Sequence, residues 1–280
     1  MSMSKRIAYL GPPGTFAEEA ALLYDDKAEL VPFPSIPAVA TSVSTGMAEE
    51  GIVPIENSIE GPVTDTLDLL IQETSPLIQY ELVLPIDHHL LAKPDTQVQD
   101  VEVIFSHPQP LAQCRHFIER CFPKAIAVAA LSTSAAVEQM MSEPIHAVAI
   151  GTQRAAVLYQ AKIIAHSIQD RTPNITRFVV LAPTDHGPTG CDKTSCCFSF
   201  GEDRPGLLYQ VLKEFADCGI NLTKVESRPS KESLGKYIFL IDLEGHRQDT
   251  VVTEVLAKAQ RMTNLFRIFG SYPRYKNKPR

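Results

Sequence analysis

The feature that most constrains the fold is an alternation of apolar and amphipathic segments over the first 182 residues. Continuous apolar runs, typical of buried strands, lie at 6–11, 29–33, 51–57, 101–107, 125–131 and 146–151. Apolar residues at helical spacing lie between them, as at 15–24, 64–72, 110–122 and 132–141. Buried strands separated by helices are typical of a parallel sheet covered on both faces. We therefore predict an α/β fold for this part of the chain.

Two segments break this alternation. Residues 77–92 form one long extended run without a helix, and residues 161–182 contain two strand patterns joined by a polar turn. A chain that leaves one lobe at the first segment and returns at the second forms two lobes with a hinge at their base. We expect lobe one at about 5–80 and 173–183, and lobe two at about 81–172. The cleft between such lobes is a natural small-molecule site.

A second domain is predicted after this two-lobed catalytic domain of residues 5–183. Residues 184–194 are rich in proline, glycine and polar residues, which is typical of a linker. Residues 195–273 then show the order strand, helix, strand, strand, helix, strand. This βαββαβ order predicts a ferredoxin-like domain.

Composition and charge exclude several classes of protein. The 280 residues carry a formal net charge of -7, which argues against a nucleic-acid-binding surface. No apolar run approaches the length of a membrane span, and the first residues lack the pattern of a signal peptide. The six cysteines do not form a disulfide or metal-binding pattern. We expect a cytoplasmic protein with no membrane partner.

The segment Gly11-Pro12-Pro13-Gly14-Thr15 has the shape of a phosphate-binding loop between a strand and a helix. A nucleotide-binding loop continues with a second glycine, a lysine and a serine or threonine, whereas this chain has Phe16, Ala17 and Glu18. Thr15 and Glu18 instead match a capping box. The helix start is either simply well capped, or its free N–H groups face the cleft and bind a carboxylate.

Polar residues also follow other strands, where ligands of α/β proteins bind. Glu56 and Asn57 end one strand, and Ser106 is placed as the N-cap of a helix whose Gln109 and Gln113 share one face. These residues are candidates for binding a polar ligand, although strand-end and turn chemistry explains each of them alone.

A further strand enters its apolar core at 175–180. Thr176 and Phe178 lie on one of its faces and Arg177 on the other. The nearby histidines His88, His89 and His107 are interpreted as polar packing.

Six motifs occur in the order seen in prephenate dehydratases. They are GPPGTFAEEA, VPIENSIEGPV, SHPQPLAQC, STSAA, NITRFVVL and NLTKVESRP. The resemblance runs from Ile7 to about Tyr272, and the βαββαβ unit resembles the phenylalanine-sensing ACT domain of these enzymes. It implies a two-lobed catalytic domain of the periplasmic-binding-protein type. Because the first motif begins at residue 7, we expect the monofunctional form without a chorismate mutase domain.

The resemblance implies a reaction and its residues. Prephenate loses carbon dioxide and water to give phenylpyruvate, in phenylalanine biosynthesis, with no metal or cofactor. The family's essential threonine corresponds to Thr176. Further expected catalytic residues are Asn57, Ser106, Gln113 and Glu56, and expected substrate-binding residues are Thr15, Thr64 and Phe178. The proton source stays open between a protonated carboxyl group, for which Glu56 is a candidate, and a water molecule.

The resemblance also implies feedback inhibition by L-phenylalanine, bound where the ACT domains of a homodimer or tetramer meet. The expected effector residues are Gly206, Leu207, Asn221, Leu222, Glu226, Ser227 and Arg228. Leu207 departs from the family, which usually has alanine there, so the affinity for phenylalanine is left open. Two alternatives also stay open, namely arogenate dehydratase and a non-catalytic amino-acid-sensing protein.

Overall fold

The computed structural model describes residues 4–73, 75–143, 146–202, 204–231 and 235–275. The chain divides into two compact units. The first unit is Met1–Val63 with Leu82–Phe178, and the second is Thr64–Glu81 with Val179–Arg280. Each unit is therefore built from two separate stretches of the sequence.

Strands and helices alternate along most of the chain. The elements up to residue 106 are β1 (Arg6–Leu10), α1 (Phe16–Tyr24), β2 (Glu29–Phe33), α2 (Ile36–Ser44), β3 (Glu50–Asn57), β4 (Gly61–Pro62), α3 (Thr64–Gln72), β5 (Leu77–Pro85), β6 (His89–Ala92), a 3-10 turn (Val98–Asp100) and β7 (Val103–Ser106). The later elements are α4 (Pro108–Gln113), α5 (Arg115–Cys121), β8 (Ile126–Ala129), α6 (Thr133–Ser142), β9 (Ala147–Gly151), α7 (Gln153–Leu158), β10 (Lys162–Ala165), β11 (Ile175–Ala182), β12 (Asp192–Ser199), α8 (Leu207–Asp217), β13 (Leu222–Pro229), β14 (Tyr237–Glu244), α9 (Thr250–Arg261) and β15 (Leu265–Pro273).

The two sheets of the two-lobed part are mixed rather than purely parallel, which corrects the prediction of a parallel sheet. The first has the order β2-β1-β3-β11-β5, with β4 beside β3, and β1 runs parallel to both β2 and β3. The second has the order β10-β6-β9-β7-β8. In it β7 is parallel to β8 and β9, whereas β6 is antiparallel to β9 and β10. The chain passes from β5 of the first sheet directly to β6 of the second, with no helix between the two strands.

The central strand β9 of the second sheet is buried on both faces. Val148 and Ile150 of β9 pack with Leu90 and Ile104 on one side, while Ala149 packs with the helix α6 on the other side. All residues of β9 are buried, as its continuous apolar sequence predicts.

The helix predicted at 110–122 is two helices, α4 and α5, which meet at Cys114. Cys114 is fully buried and has φ -112° and ψ 17°, outside the helical region. The carboxylate of Asp170 accepts hydrogen bonds from the backbone N–H groups of His116 (2.9 Å) and Phe117 (3.3 Å) at the start of α5. A capping group more than 50 residues away cannot be read from the local pattern.

The second unit contains a four-stranded sheet of order β13-β14-β12-β15 with helices α8 and α9. Neighbouring strands of this sheet run antiparallel. Its core includes Phe198, Val211, Phe215, Ile241 and Val255. Strand β12 begins at Asp192, three residues before the predicted start, because it pairs with β14 and β15 from its first residues onward. This is the predicted ferredoxin-like arrangement.

Helix α3 and the first half of β5 belong to the same unit. Arg228 of β13 contacts Asp68 of α3 at 2.6 Å, and Lys193 of β12 contacts Glu81 of β5 at 2.8 Å. Glu81 is only 3% exposed. These ion pairs connect strands of the C-terminal sheet to a segment that precedes them by more than a hundred residues. Within the described ranges, no helix has the length and apolarity of a membrane span.

Candidate active site

The first unit contains a cavity of about 490 Å³. It is lined by polar side chains from both lobes together with apolar ones. The polar lining residues are Thr15, Asn57, His88, His107, Gln109, Gln113, Ser132, Thr133 and Thr176, and the apolar ones include Phe16, Ile86, Leu131 and Phe178. The structure therefore brings together five of the predicted site residues, namely Thr176, Asn57, Gln113, Thr15 and Phe178.

Thr176 is held by an amide at the end of β3. The Nδ2 atom of Asn57 donates to the Thr176 Oγ1 atom at 2.9 Å. The Asn57 Oδ1 atom accepts the backbone N–H groups of Ile59 and Glu60, which orients the amide. Because the Thr176 oxygen accepts this bond and its proton has no acceptor among the described residues, the hydroxyl can donate to a ligand in the cavity.

Gln113 lies at the centre of a hydrogen-bond network between the two lobes. Its Oε1 atom accepts from the Asn174 Nδ2 atom and contacts the His88 Nε2 atom, both at 2.9 Å. Its Nε2 atom donates to the Glu60 Oε1 atom at 2.9 Å. The Asn174 Oδ1 atom accepts a second bond from Asn57 at 2.9 Å. Asn57, Asn174 and Gln113 therefore form a connected set of amides beside Thr176.

His88 is 2% exposed and lines the same cavity. Its burial lowers the pKa of the imidazole, which favours the neutral ring. The ring edge meets Phe16, with 5.7 Å between centroids. Its Nδ1 atom has no hydrogen-bond partner among the described residues. The interpretation of His88 as satisfied polar packing therefore holds for its Nε2 atom, which contacts Gln113, but not for its Nδ1 atom.

Ser106 does not line the cavity and is not the N-cap of α4. It is the fully buried last residue of β7, and its hydroxyl donates to the Ile150 carbonyl of the neighbouring β9 at 2.8 Å. The N-cap is His107, whose Nδ1 atom accepts from the Gln109 backbone N–H at 3.3 Å. The strand continues one residue further than the capping pattern indicated, and its last hydroxyl bonds within the sheet.

The loop before α1 contacts the second lobe. Thr15 occupies the N-cap position, but its hydroxyl donates to the Pro12 carbonyl at 3.0 Å and makes no capping bond. Glu18 accepts from the Gly14 N–H at 2.6 Å, so the predicted capping box is wrong. The Glu18 carboxylate also binds Arg154 of α7 at 2.9 Å. Arg154 provides a charged partner that the local sequence pattern does not show.

Gly14 is required at this contact. Its φ is +86°, and a Cβ atom there would lie 2.7 Å from the Ser134 Oγ atom of α6. The Gly14 carbonyl accepts a hydrogen bond from Thr152 at 2.8 Å. Only glycine combines this backbone conformation with such a close approach.

Glu56 and Thr64 lie outside the lining of the cavity. Glu56 is half-buried and pairs with Pro62 of β4. Thr64 begins α3 in the second unit, and its neighbour Val63 is the lining residue. The carboxylate that the network does include is Glu60. Within the ranges that the structure covers, no group of three His, Cys, Asp or Glu side chains is arranged to hold a metal ion.

A second cavity, of about 530 Å³, lies in the second unit at the start of α8. Gly206 and Leu207 line it together with Tyr209 and Tyr237. The other predicted effector residues, Asn221, Leu222, Glu226, Ser227 and Arg228, lie on or beside β13, an edge strand of the sheet, and do not line it. Within one chain, the structure does not bring the two groups together.

The fold and the cavity define a class of protein: a two-lobed α/β domain with a ligand-sized polar cleft, followed by a ferredoxin-like domain. The chain belongs to the prephenate dehydratase family, because the family model of that description matches residues 7–186. A model of the ACT domain matches residues 198–260. The family resemblance and the α/β fold with a C-terminal ACT domain, both predicted from the sequence, are thus confirmed.

Named relatives and a solved structure agree with this assignment. A prephenate dehydratase of Methanocaldococcus jannaschii is 39% identical over 97% of this chain and 99% of its own. A bifunctional chorismate mutase/prephenate dehydratase of Aquifex aeolicus is 42% identical over 98% of this chain and 75% of its own. The crystal structure of a prephenate dehydratase from Arthrobacter aurescens in complex with L-Phe is 34% identical, with a TM-score of 0.88 over 98% of this chain and 92% of that chain.

Proposed function

We propose that the cavity of the first unit converts prephenate to phenylpyruvate, with loss of carbon dioxide and water. The observation that supports the assignment to this cavity is the Asn57–Thr176 bond, because it leaves the threonine O–H available to donate to a ligand. Loss of the ring carboxylate and the ring hydroxyl makes the ring aromatic, so the reaction is strongly favourable. The protein has to stabilise the departing oxygen and hold the substrate.

Thr176 acts in this proposal as a hydrogen-bond donor rather than as an acid. A threonine hydroxyl is far too weak an acid to match a working pH near neutrality. A fixed donor directed at the oxygen on which charge develops lowers the barrier without being deprotonated. Asn57 supports this role because it occupies the acceptor side of the hydroxyl.

The first turn of α1 is the proposed site for a substrate carboxylate. Phe16 and Ala17 line the cavity, and the N–H groups of a first helical turn have no partners within the helix. Glu18 would repel an anion there, but its carboxylate is 5% exposed and is paired with Arg154. The N-terminus of α1 therefore keeps its preference for negative charge.

We also propose that L-phenylalanine inhibits the enzyme through the ACT domain. The structural relative from Arthrobacter aurescens was solved with L-Phe. In this chain Tyr209 and Tyr237, 67% and 48% exposed, flank the second cavity. A second copy of the chain that covers them would place the β13 residues of one chain beside Gly206 and Leu207 of the other. We therefore propose a homodimer or a dimer of dimers.

The assignment is tested by product formation. Purified protein is incubated with prephenate and, separately, with arogenate, and the products are resolved by mass. We expect phenylpyruvate from prephenate, formed more slowly when L-phenylalanine is added. Faster formation of phenylalanine from arogenate would show that arogenate, not prephenate, is the substrate. Absence of product from both substrates would show that the protein is a non-catalytic amino-acid sensor.

A further inference from the structure

The orientation of the Gln113 amide is set by a carboxylate. Glu60 can only accept hydrogen bonds as a carboxylate, so the Gln113 atom 2.9 Å from it is the donating Nε2. The Gln113 Oε1 atom is then the acceptor that faces both Asn174 and His88. The orientation of the Gln113 amide determines which ring nitrogen of His88 carries the proton.

The His88 Nε2 atom has to donate, because the Gln113 atom 2.9 Å away is an acceptor. In a neutral imidazole, one ring nitrogen donates and the other accepts. Burial favours the neutral form. The Nδ1 atom of His88 is therefore an acceptor in the protein without ligand.

This acceptor is buried and unsatisfied. His88 is only 2% exposed, and its Nδ1 atom has no hydrogen-bond partner in the described part of the chain. The residue is fixed through its backbone, since its N–H donates to Gln169 at 3.0 Å and its carbonyl accepts from Ile168 at 2.9 Å. Buried polar atoms without partners are uncommon and destabilising, and His88 is one of the residues that line the cavity.

We propose that the Nδ1 atom of His88 accepts a hydrogen bond from the ring hydroxyl of the substrate. This inference rests on the proposed function. The carboxylates and the keto group of prephenate are all acceptors, so its hydroxyl is the one group that can donate to an unprotonated nitrogen. Thr176 lines the same cavity and donates to the oxygen of that hydroxyl. The hydroxyl in turn donates its own proton to the His88 Nδ1 atom. The two residues together fix the leaving group before the C–O bond breaks.

Two substitutions of His88 test the contributions of its two ring nitrogens separately. His88→Gln places an amide near the Nε2 position and keeps a donor for Gln113, but removes the Nδ1 acceptor. His88→Asn places its amide oxygen near the Nδ1 position and removes the donor for Gln113. We expect His88→Gln to lower kcat/KM for prephenate by about 3- to 10-fold, as for a lost neutral hydrogen bond, and His88→Asn to lower it less.

Inhibition by phenylpyruvate distinguishes this contact from a merely structural role. If His88 only supported the shape of the cavity, its substitution would also change the inhibition constant of phenylpyruvate. In its keto form the product lacks the ring hydroxyl, so its inhibition constant should be the same in the wild type and in His88→Gln. Circular dichroism confirms that both variants are folded.

The outcomes are distinguishable. A His88→Gln variant that is no more impaired than His88→Asn would show that His88 acts only through Gln113, and would overturn the contact. Equal loss of prephenate turnover and phenylpyruvate binding in His88→Gln would also overturn it, because the whole cavity would then be disturbed. A wild-type chain that does not convert prephenate would overturn the proposed function, and this contact with it.

Discussion

Individual amides determine how the Thr176 hydroxyl can form hydrogen bonds. The Asn57 amide has both ends committed, with its oxygen on the N–H groups of the turn after β3 and its nitrogen on Thr176 and Asn174. An amide with fixed ends cannot rotate to present its oxygen to the threonine. The Thr176 oxygen therefore accepts a hydrogen bond from Asn57, which leaves the hydroxyl proton available to a ligand in the cavity.

The first prediction concerns this hydroxyl. Thr176→Ala should lower turnover of prephenate by roughly two to four orders of magnitude, as expected for a lost transition-state contact, with the fold intact. Thr176→Ser keeps the donor and should retain much more activity. Steady-state kinetics with both variants checks this.

Thr133 provides a matched control. It lines the same cavity and is 9% exposed, close to the 8% of Thr176, and it begins α6. Thr133→Ala should cost far less activity than Thr176→Ala. Near wild-type turnover by Thr176→Ala would contradict the role of Thr176.

The sequence predicts some of these residues better than others. Thr176, Asn57 and Gln113 follow from ordered motifs. The acceptor state of the His88 Nδ1 atom does not, because it follows from the contact between the His88 Nε2 atom and Gln113, 25 positions away, and no local pattern indicates such a contact. The N-cap prediction for Ser106 fails because the local pattern is ambiguous. A serine before two prolines matches a capping pattern whether or not it still belongs to the strand.

At the scale of elements, an ion pair connects helix α3 to strand β13. Asp68 binds both Arg228 and Lys231, and the side chain of Arg228 is only 12% exposed. The Arg228 Nη1 atom is buried and has no partner among the described residues. Asp68 is therefore the main charge that offsets the guanidinium on that strand.

The next prediction follows from this pair and from the proposed effector role of Arg228. Asp68→Asn should raise the phenylalanine concentration needed for half inhibition by about five- to tenfold, within the range of known coupling energies, and change KM for prephenate little. The substitution is isosteric but removes the charge that holds β13 to α3. Inhibition curves at fixed prephenate concentration measure the effect.

Asp65→Asn is the control on the same helix, because Asp65 is exposed. It should leave inhibition unchanged. Identical inhibition curves for the Asp68→Asn variant and the wild type would show that this ion pair does not carry the signal.

At the scale of the whole molecule, the proposed regulation requires that phenylalanine bind one state of the enzyme more tightly than another. Leu207 lines the cavity at the start of α8. Leu207→Ala should change the affinity for phenylalanine more than it changes kcat/KM without effector. Calorimetry on the full chain measures the affinity. Absence of both phenylalanine binding and inhibition in the wild type would leave the ACT domain as an assembly domain.

Domain order is predictable from the sequence, but the grouping of residues 64–81 is not. Alternating patterns identify strands and helices one at a time, whereas the division into compact units depends on which distant segments pack together. Here Gly270 of β15 approaches β5 so closely that a Cβ atom would lie 2.1 Å from the Ile78 carbonyl oxygen. Nothing in the sequence around either residue shows that the two strands meet.

The buried pair of Glu81 and Lys193 has a consequence for how this chain can be divided. The family match ends at residue 186, which invites a truncation there, yet Lys193 lies beyond it and its side chain is 12% exposed. Such a truncation would leave the Glu81 carboxylate without this cation, and breaking a buried pair on one side typically costs about 3–5 kcal/mol. The boundary between two sequence families is thus not a boundary at which the protein can be cut without loss.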